Sequence, residues 1–196
     1  MKKTVLLILL LISALLLGCA EKHEGTIRIT DQAGREVYVP ANPERIVSIW
    51  PEATSVLLAL DCKDKIVGLD SGSLKHRIIS KLLPKNIQDV GNPMKGTLNL
   101  EKLAQLKPDI VFMYTDDLEL AEKIQKSLGI PVVCVRLNPP PERKLNLDMV
   151  TIIGKCVGKE ERAREIKDYI EGKISEIKSV TSKIPDSEKP KVYVTF

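Results

Sequence analysis

Apolar and polar positions follow two rhythms along this chain, and the switches between them mark its elements. Thr26–Thr30 and Glu36–Val39 alternate with period two around the turn-rich Asp31-Gln32-Ala33-Gly34, which predicts a β-hairpin ended by Pro40 and Pro43. A strand–helix rhythm follows. Arg45–Ile49 is an apolar, β-branched run. Ala53, Val56, Leu57 and Leu60 then fall at helical spacing behind Pro51, a residue suited to a first helical turn. Lys65–Leu69 reads as the next strand, and residues 70–93 as an irregular stretch punctuated by Gly72, Pro84, Gly91 and Pro93. Asn99 suits the N-cap of a helix over Leu100–Lys107 that Pro108 stops. Asp109–Tyr114 reads as a strand, and Asp116 and Asp117 as caps of a helix that reaches Leu128 and stops at Gly129. Pro131–Arg136 reads as another strand, leading into a Pro-rich loop over Asn138–Pro141. Ile110–Met113 and Val132–Val135 are continuously apolar, as parallel strands covered on both faces are. Helices between such strands predict βαβ units and an α/β fold.

Beyond the loop, a helix is expected from about Asn146 to Val157, and Gly158 interrupts it. A longer helix follows, with Ala163, Ile166, Ile170, Ile174, Ile177, Val180 and Ile184 on one stripe. At 1.5 Å per residue it spans roughly 35 Å, about the size of a small domain. Its heptad is not strict, so a packed spine is expected rather than a coiled-coil arm. Pro185–Pro190 breaks it, and Lys191–Phe196 reads as a fresh strand. A strand needs neighbours, so the expectation is that further strands belong with it and that the sequence is a fragment or a truncated form.

The amino terminus changes the picture most. Lys2 and Lys3 precede an apolar run, Val5–Leu17, that falls short of a membrane span of roughly 20 residues. Leu16-Leu17-Gly18-Cys19 closes it like a signal peptide 1–18 with a small residue before its cleavage point. The segment resembles the lipobox of exported lipoproteins. That resemblance implies that Cys19 becomes a lipidated N-terminus, with residues 19–25 as a tether to the membrane. An uncleaved anchor with an incidental Cys is the other reading, and both place the rest of the chain outside the cytoplasm.

Composition narrows the classes. Hydrophobic residues make up 43% and charged residues 29% of the 196 positions, which is globular. Aromatics are 4% and the net charge of +4 is scattered among acids, so no nucleic-acid partner is expected. Cys62, Cys134 and Cys156 form no Cys-x-x-Cys pair and read as core fillers. No nucleophile elbow, phosphate loop or His-Glu-x-x-His is present, so an enzyme is not expected. The two histidines, His23 in the tether and His76 in the irregular stretch, do not make a metal cage, and no resident metal or cofactor is expected.

Thr30-Asp31-Gln32-Ala33-Gly34-Arg35-Glu36-Val37 followed by Pro43-Glu44-Arg45-Ile46-Val47-Ser48 resembles the opening of the periplasmic solute-binding proteins of ABC importers for ferric siderophores, haem and cobalamin. Val67-Gly68, Val90-Gly91-Asn92, Asn99-Leu100-Glu101 through Lys107-Pro108-Asp109, Leu128–Val133 and Gly158–Ala163 continue that pattern in order, so the likeness covers residues 27 to 196. It implies a two-lobed binding protein with a helical backbone. Residues 26–145 would be the N-terminal α/β lobe with its parallel sheet. Residues 146–184 would hold the interlobe spine helix, and residues 185–196 would begin a truncated C-terminal lobe.

The resemblance also implies a monomer that captures a metal chelate, ferric in the first reading and cobalamin or haem in the second. It would deliver the chelate to an ABC permease and its ATPase; a non-transporting remnant is the other possibility. Ligands of open α/β sheets sit beyond the carboxyl ends of the strands. There Trp50, Pro51, Met94 and Tyr114 offer apolar surface, and Lys95, Arg136 and Arg143 offer positive charge to an anionic chelate. Each also has a plainer reading: Trp50 as packing at a helix start, Met94 as a gap filler, Arg143 as a loop charge. Relatives meet their permease through an acidic residue on each lobe. Here the matching stretch, about Ser71 to Lys85, holds Lys75, Arg77, Lys81 and Lys85 and no acid, with Glu52 a weak substitute.

Overall fold

The computed structural model describes residues 25–137 and 145–193. Alternating residues pair β1 (Thr26–Thr30) with β2 (Glu36–Pro40) as an antiparallel hairpin, Thr30 opposite Glu36. The second sheet is parallel and five-stranded, built from β3 (Ile46–Ser48), β4 (Ile66–Leu69), β5 (Gln88–Asp89), β6 (Ile110–Tyr114) and β7 (Val132–Val135). Its spatial order is β5-β4-β3-β6-β7. The chain therefore moves outward from β3 through β4 to β5, then returns to lay β6 on the other side of β3.

Helix α1 (Pro51–Ala59) links β3 to β4. Two short helices, α2 (Ser71–Lys75) and α3 (Ile79–Leu82), occupy the stretch read as irregular. Helices α4 (Leu100–Gln105) and α5 (Leu118–Leu128) precede β6 and β7. Asn99 caps α4 by accepting from the Lys102 N–H, and Gly129 ends α5 in the left-handed region. Both faces of the sheet are covered, which is why its strands are apolar without alternation. Ile46, Phe112, Val133 and Val135 cluster with α1, the hairpin and α6 (Asp148–Cys156). Val47, Val111, Met113, Val132 and Cys134 cluster with Leu103 of α4 and Ala121 and Ile124 of α5.

Helix α6 crosses α7 (Glu160–Thr181) at close range. A Cβ on Gly154 would sit 2.5 Å from the Ala163 Cβ, so only glycine permits this approach. Ala163 is buried, and Ile166 and Ile170 pack against the core.

The stripe expected to stay packed to Ile184 then parts from the lobe. The helix ends at Thr181, and Ile177 and Val180 are more than 60% exposed. Among the described residues nothing buries Ile177 or Val180, and the contacts with the core lie along the first turns, at Ala163, Ile166 and Ile170. Residues 191–193 form no strand, and Val192 and Tyr193 are exposed with no strand beside them among the described residues. No described helix is long and apolar enough to cross a membrane. Cys19 with its signal segment, His23, residues 138–144 with Arg143, and residues 194–196 lie outside the described residues.

Candidate functional site

The reversal of strand order puts the carboxyl ends of β3 and β6 side by side, and such a switch point opens a crevice above an α/β sheet. Ser48 pairs with Phe112, and the Ile49 N–H donates to the Phe112 carbonyl at 2.9 Å, so the two strands stay in register to their ends. Trp50 and Tyr114 emerge there together. Their rings stack with centroids 4.3 Å apart and planes 26° from parallel. Such a pair contributes about 0.5–1.5 kcal/mol beyond its burial.

Trp50 is fixed from below. It is the N-cap of α1, with Pro51 in the first turn, and its carbonyl accepts from the Thr54 N–H at 3.0 Å and the Ser48 hydroxyl at 3.2 Å. Thr54 Oγ1 in turn donates to Ser48 Oγ at 2.8 Å. Next to it Asp70 caps α2, accepting from the N–H groups of Gly72 and Ser73 and from the Ser73 hydroxyl. Ser48, Thr54, Asp70 and Ser73 are all buried, so this polar layer is a floor rather than a binding surface.

Arg136, one residue past β7, completes the cluster. Its Cζ lies 4.9 Å from the Tyr114 ring centroid, and Nη2 donates to the Tyr114 hydroxyl. Nη2 is also 3.1 Å from Asp116 Oδ1, pairing a side chain 12% exposed with one 59% exposed. The hairpin turn holds Arg136 in place, because its N–H donates to Gln32 Oε1 at 2.8 Å while the Gln32 N–H donates to the Cys134 carbonyl at 3.0 Å. Among the described residues, the buried side-chain atoms left without a hydrogen-bond partner are Trp50 Nε1, Glu52 Oε2 and Arg136 Nε. A buried polar group left without a partner costs about 1–3 kcal/mol, and all three, two N–H donors and one carboxylate acceptor, belong to this edge.

The structure thus brings Trp50, Tyr114 and Arg136 together. Met94 and Lys95 are exposed on the loop after β5, which turns back at Gly91. A Cβ on Gly91 would be 2.0 Å from the Thr97 carbonyl oxygen, so this loop is built on glycine. Of the two acids expected to cap α5, only Asp117 does so, accepting from the Leu120 N–H at 3.0 Å; Asp116 turns to Arg136 instead. One N-cap position takes one side chain, so the doubled acid already signalled a second use. Gln32 carried no such signal, since its contact spans 104 residues. His76 is exposed, its Nδ1 accepting from the Ile79 N–H at 3.4 Å. Lys75, Arg77, Lys81 and Lys85 are exposed along α2 and α3. Among the described residues, no three His, Cys, Asp or Glu side chains gather to hold a metal ion. Cys134 and Cys156 are core thiols that burial pushes up to about 12, and burial raises Cys62 as well.

The chain is similar to known binding proteins. It is 25% identical over 171 residues to YvrC of Bacillus subtilis, an uncharacterized ABC transporter substrate-binding lipoprotein, covering 86% of this chain and 51% of YvrC. It is 32% identical over 114 residues to the molybdate-binding protein MolA of Haemophilus influenzae, covering 56% of this chain and 32% of MolA. A periplasmic solute binding protein from Veillonella parvula superimposes with a TM-score of 0.69 at 28% identity, over 82% of this chain and 50% of that one. The chain therefore spans about half the length of YvrC and of the Veillonella protein. Residues 46–196 match the family model described as periplasmic binding protein, and the chain belongs to that family of extracytoplasmic solute-binding proteins.

Proposed function

We propose that this protein captures an organic metal chelate, an iron(III) siderophore in the first instance, and presents it to an ABC permease and its ATPase. The observation that carries the reading is the Trp50–Tyr114–Arg136 cluster at the switch point. Flat aromatic surface suits the organic shell of a chelate, and a guanidinium suits its carboxylate or catecholate oxygens. A bare transition metal would call for several N, O or S donors from the protein itself, and the described edge offers Glu52 and Asp116 without a histidine or thiolate beside them. Cobalamin and haem present comparable flat faces and are the alternatives within this class. Lipidation at Cys19 would hold the domain at the membrane where the permease sits.

A second reading, an oxyanion such as molybdate, is favoured by the likeness to MolA and by the charge of Arg136. The chain has a single tryptophan, so its emission reports on this site alone. Titrating the protein with ferric citrate, a ferric catecholate complex, cobalamin, haem and molybdate, and following Trp50 fluorescence, separates the readings. Saturable change with a ferric chelate and none with molybdate supports the first. The reverse supports the second, and no response to any of the five removes both.

A further inference from the structure

Resting on that reading of the site, we infer that Asp116 is an internal counter-ion that stands where the ligand's anionic group belongs, so that the site admits ligands presenting several oxyanions and rejects single carboxylates. Arg136 is the cation in question, and its surroundings are uneven. Nη2 is engaged by the Tyr114 hydroxyl and by Asp116, while Nε is buried with no acceptor among the described residues. The guanidinium is thus held for a planar, bidentate partner and has been given only part of one.

Asp116 is suited to leaving. Its side chain is 59% exposed against 12% for Arg136, so it gains water on release while the arginine would lose its one charge partner among the described residues. It is tethered through Thr115, whose Oγ1 donates to the same Oδ1 at 3.3 Å, and it belongs to the segment between β6 and α5 rather than to a helix. With its acid in water this ion pair is weak, and it biases the site by at most about fivefold.

The consequence is selectivity. A ligand with one carboxylate can only exchange with Asp116, and it leaves that carboxylate unpaired beside a second negative charge. A ligand with several oxygens reaches both Nη2 and, after the guanidinium turns, the orphaned Nε, and it outweighs the displaced pair. Asp116 acts through Arg136 and is a positioning residue for it.

The test uses the full chain, the single Trp50 as reporter, and two metal-free probes at equal ionic strength: acetate, with one carboxylate, and citrate, with three. In the natural sequence citrate should shift the emission at lower concentration than acetate. In Asp116→Asn both midpoints should fall, acetate by about fivefold and citrate by less, while Asp116→Glu keeps the original order. In Asp116→Asn combined with Arg136→Gln the gain should vanish. Midpoints that stay put or rise in Asp116→Asn, a gain that survives the loss of Arg136, or no response to either anion would overturn the inference. Because neither probe carries a metal, these outcomes are independent of whether any ferric chelate binds.

Discussion

Two arginines flank β7, and they are treated in opposite ways. Arg35, from the hairpin, is saturated: Nε and Nη2 bond the Asp31 carboxylate at 3.0 and 2.7 Å, Nη1 bonds Gln125 at 3.0 Å, and Nη2 also reaches the Val132 carbonyl at 2.8 Å. Asp31 is buried and additionally accepts the Cys134 N–H at 3.1 Å, so the pair staples the hairpin to the edge of the sheet. Arg136, just past the same strand, is left with an orphaned Nε, an exposed acid and an aromatic face. Both residues are cations beside an acid, and charge alone does not separate them. What separates them is how many of their donors the fold itself satisfies. A saturated arginine holds the fold together, whereas an unsaturated one at a strand end keeps a donor that a ligand could take.

The contrast is sharpest in stability. Arg35→Ala leaves the Asp31 carboxylate buried and unpaired, and urea unfolding should show a loss of about 3–5 kcal/mol. Arg136→Gln keeps its aromatic neighbours and should cost under about 1 kcal/mol in the same assay, since its acid is solvent-exposed. Equal losses would erase the distinction drawn here.

Two further changes test the scaffold that carries both arginines. Gly154→Ala drives a methyl into Ala163 across α6 and α7, and thermal unfolding should register about 1–3 kcal/mol. The buried thiols give a smaller, pH-dependent effect. Cys134 and Cys156 ionise near 12 when folded and near 9 when unfolded, so the unfolded state binds fewer protons between those values. Stability should therefore be intact below pH 9 and decline above it. Iodoacetamide at pH 8 should leave both thiols unmodified until denaturant is added.

Much of this architecture was legible because it is local. The continuous apolar runs of β6 and β7, the Asn99 cap and the Gly129 stop all declare themselves within a few residues. Trp50, Tyr114 and Arg136 could be placed at strand ends for the same reason. Their stacking could not, because it depends on β6 returning beside β3 rather than beside β5, and strand order is a long-range property. The Asp31–Arg35 staple was hidden similarly: its reach to Cys134 spans 99 residues, and on paper the two look like ordinary turn charges. The distal half of α7 marks a different limit. Its isoleucine stripe is regular, but periodicity says which face is apolar and not what covers it.

The central claim is that ligand is held at the Trp50–Tyr114–Arg136 edge, and calorimetric titration of ferric citrate into the natural sequence, Trp50→Ala and Arg136→Gln tests it most directly. The account predicts measurable binding to the natural sequence, weakened at least about tenfold in each variant, with unfolding midpoints little changed for Arg136→Gln. Undiminished affinity in both variants would contradict it and move the site elsewhere on the molecule.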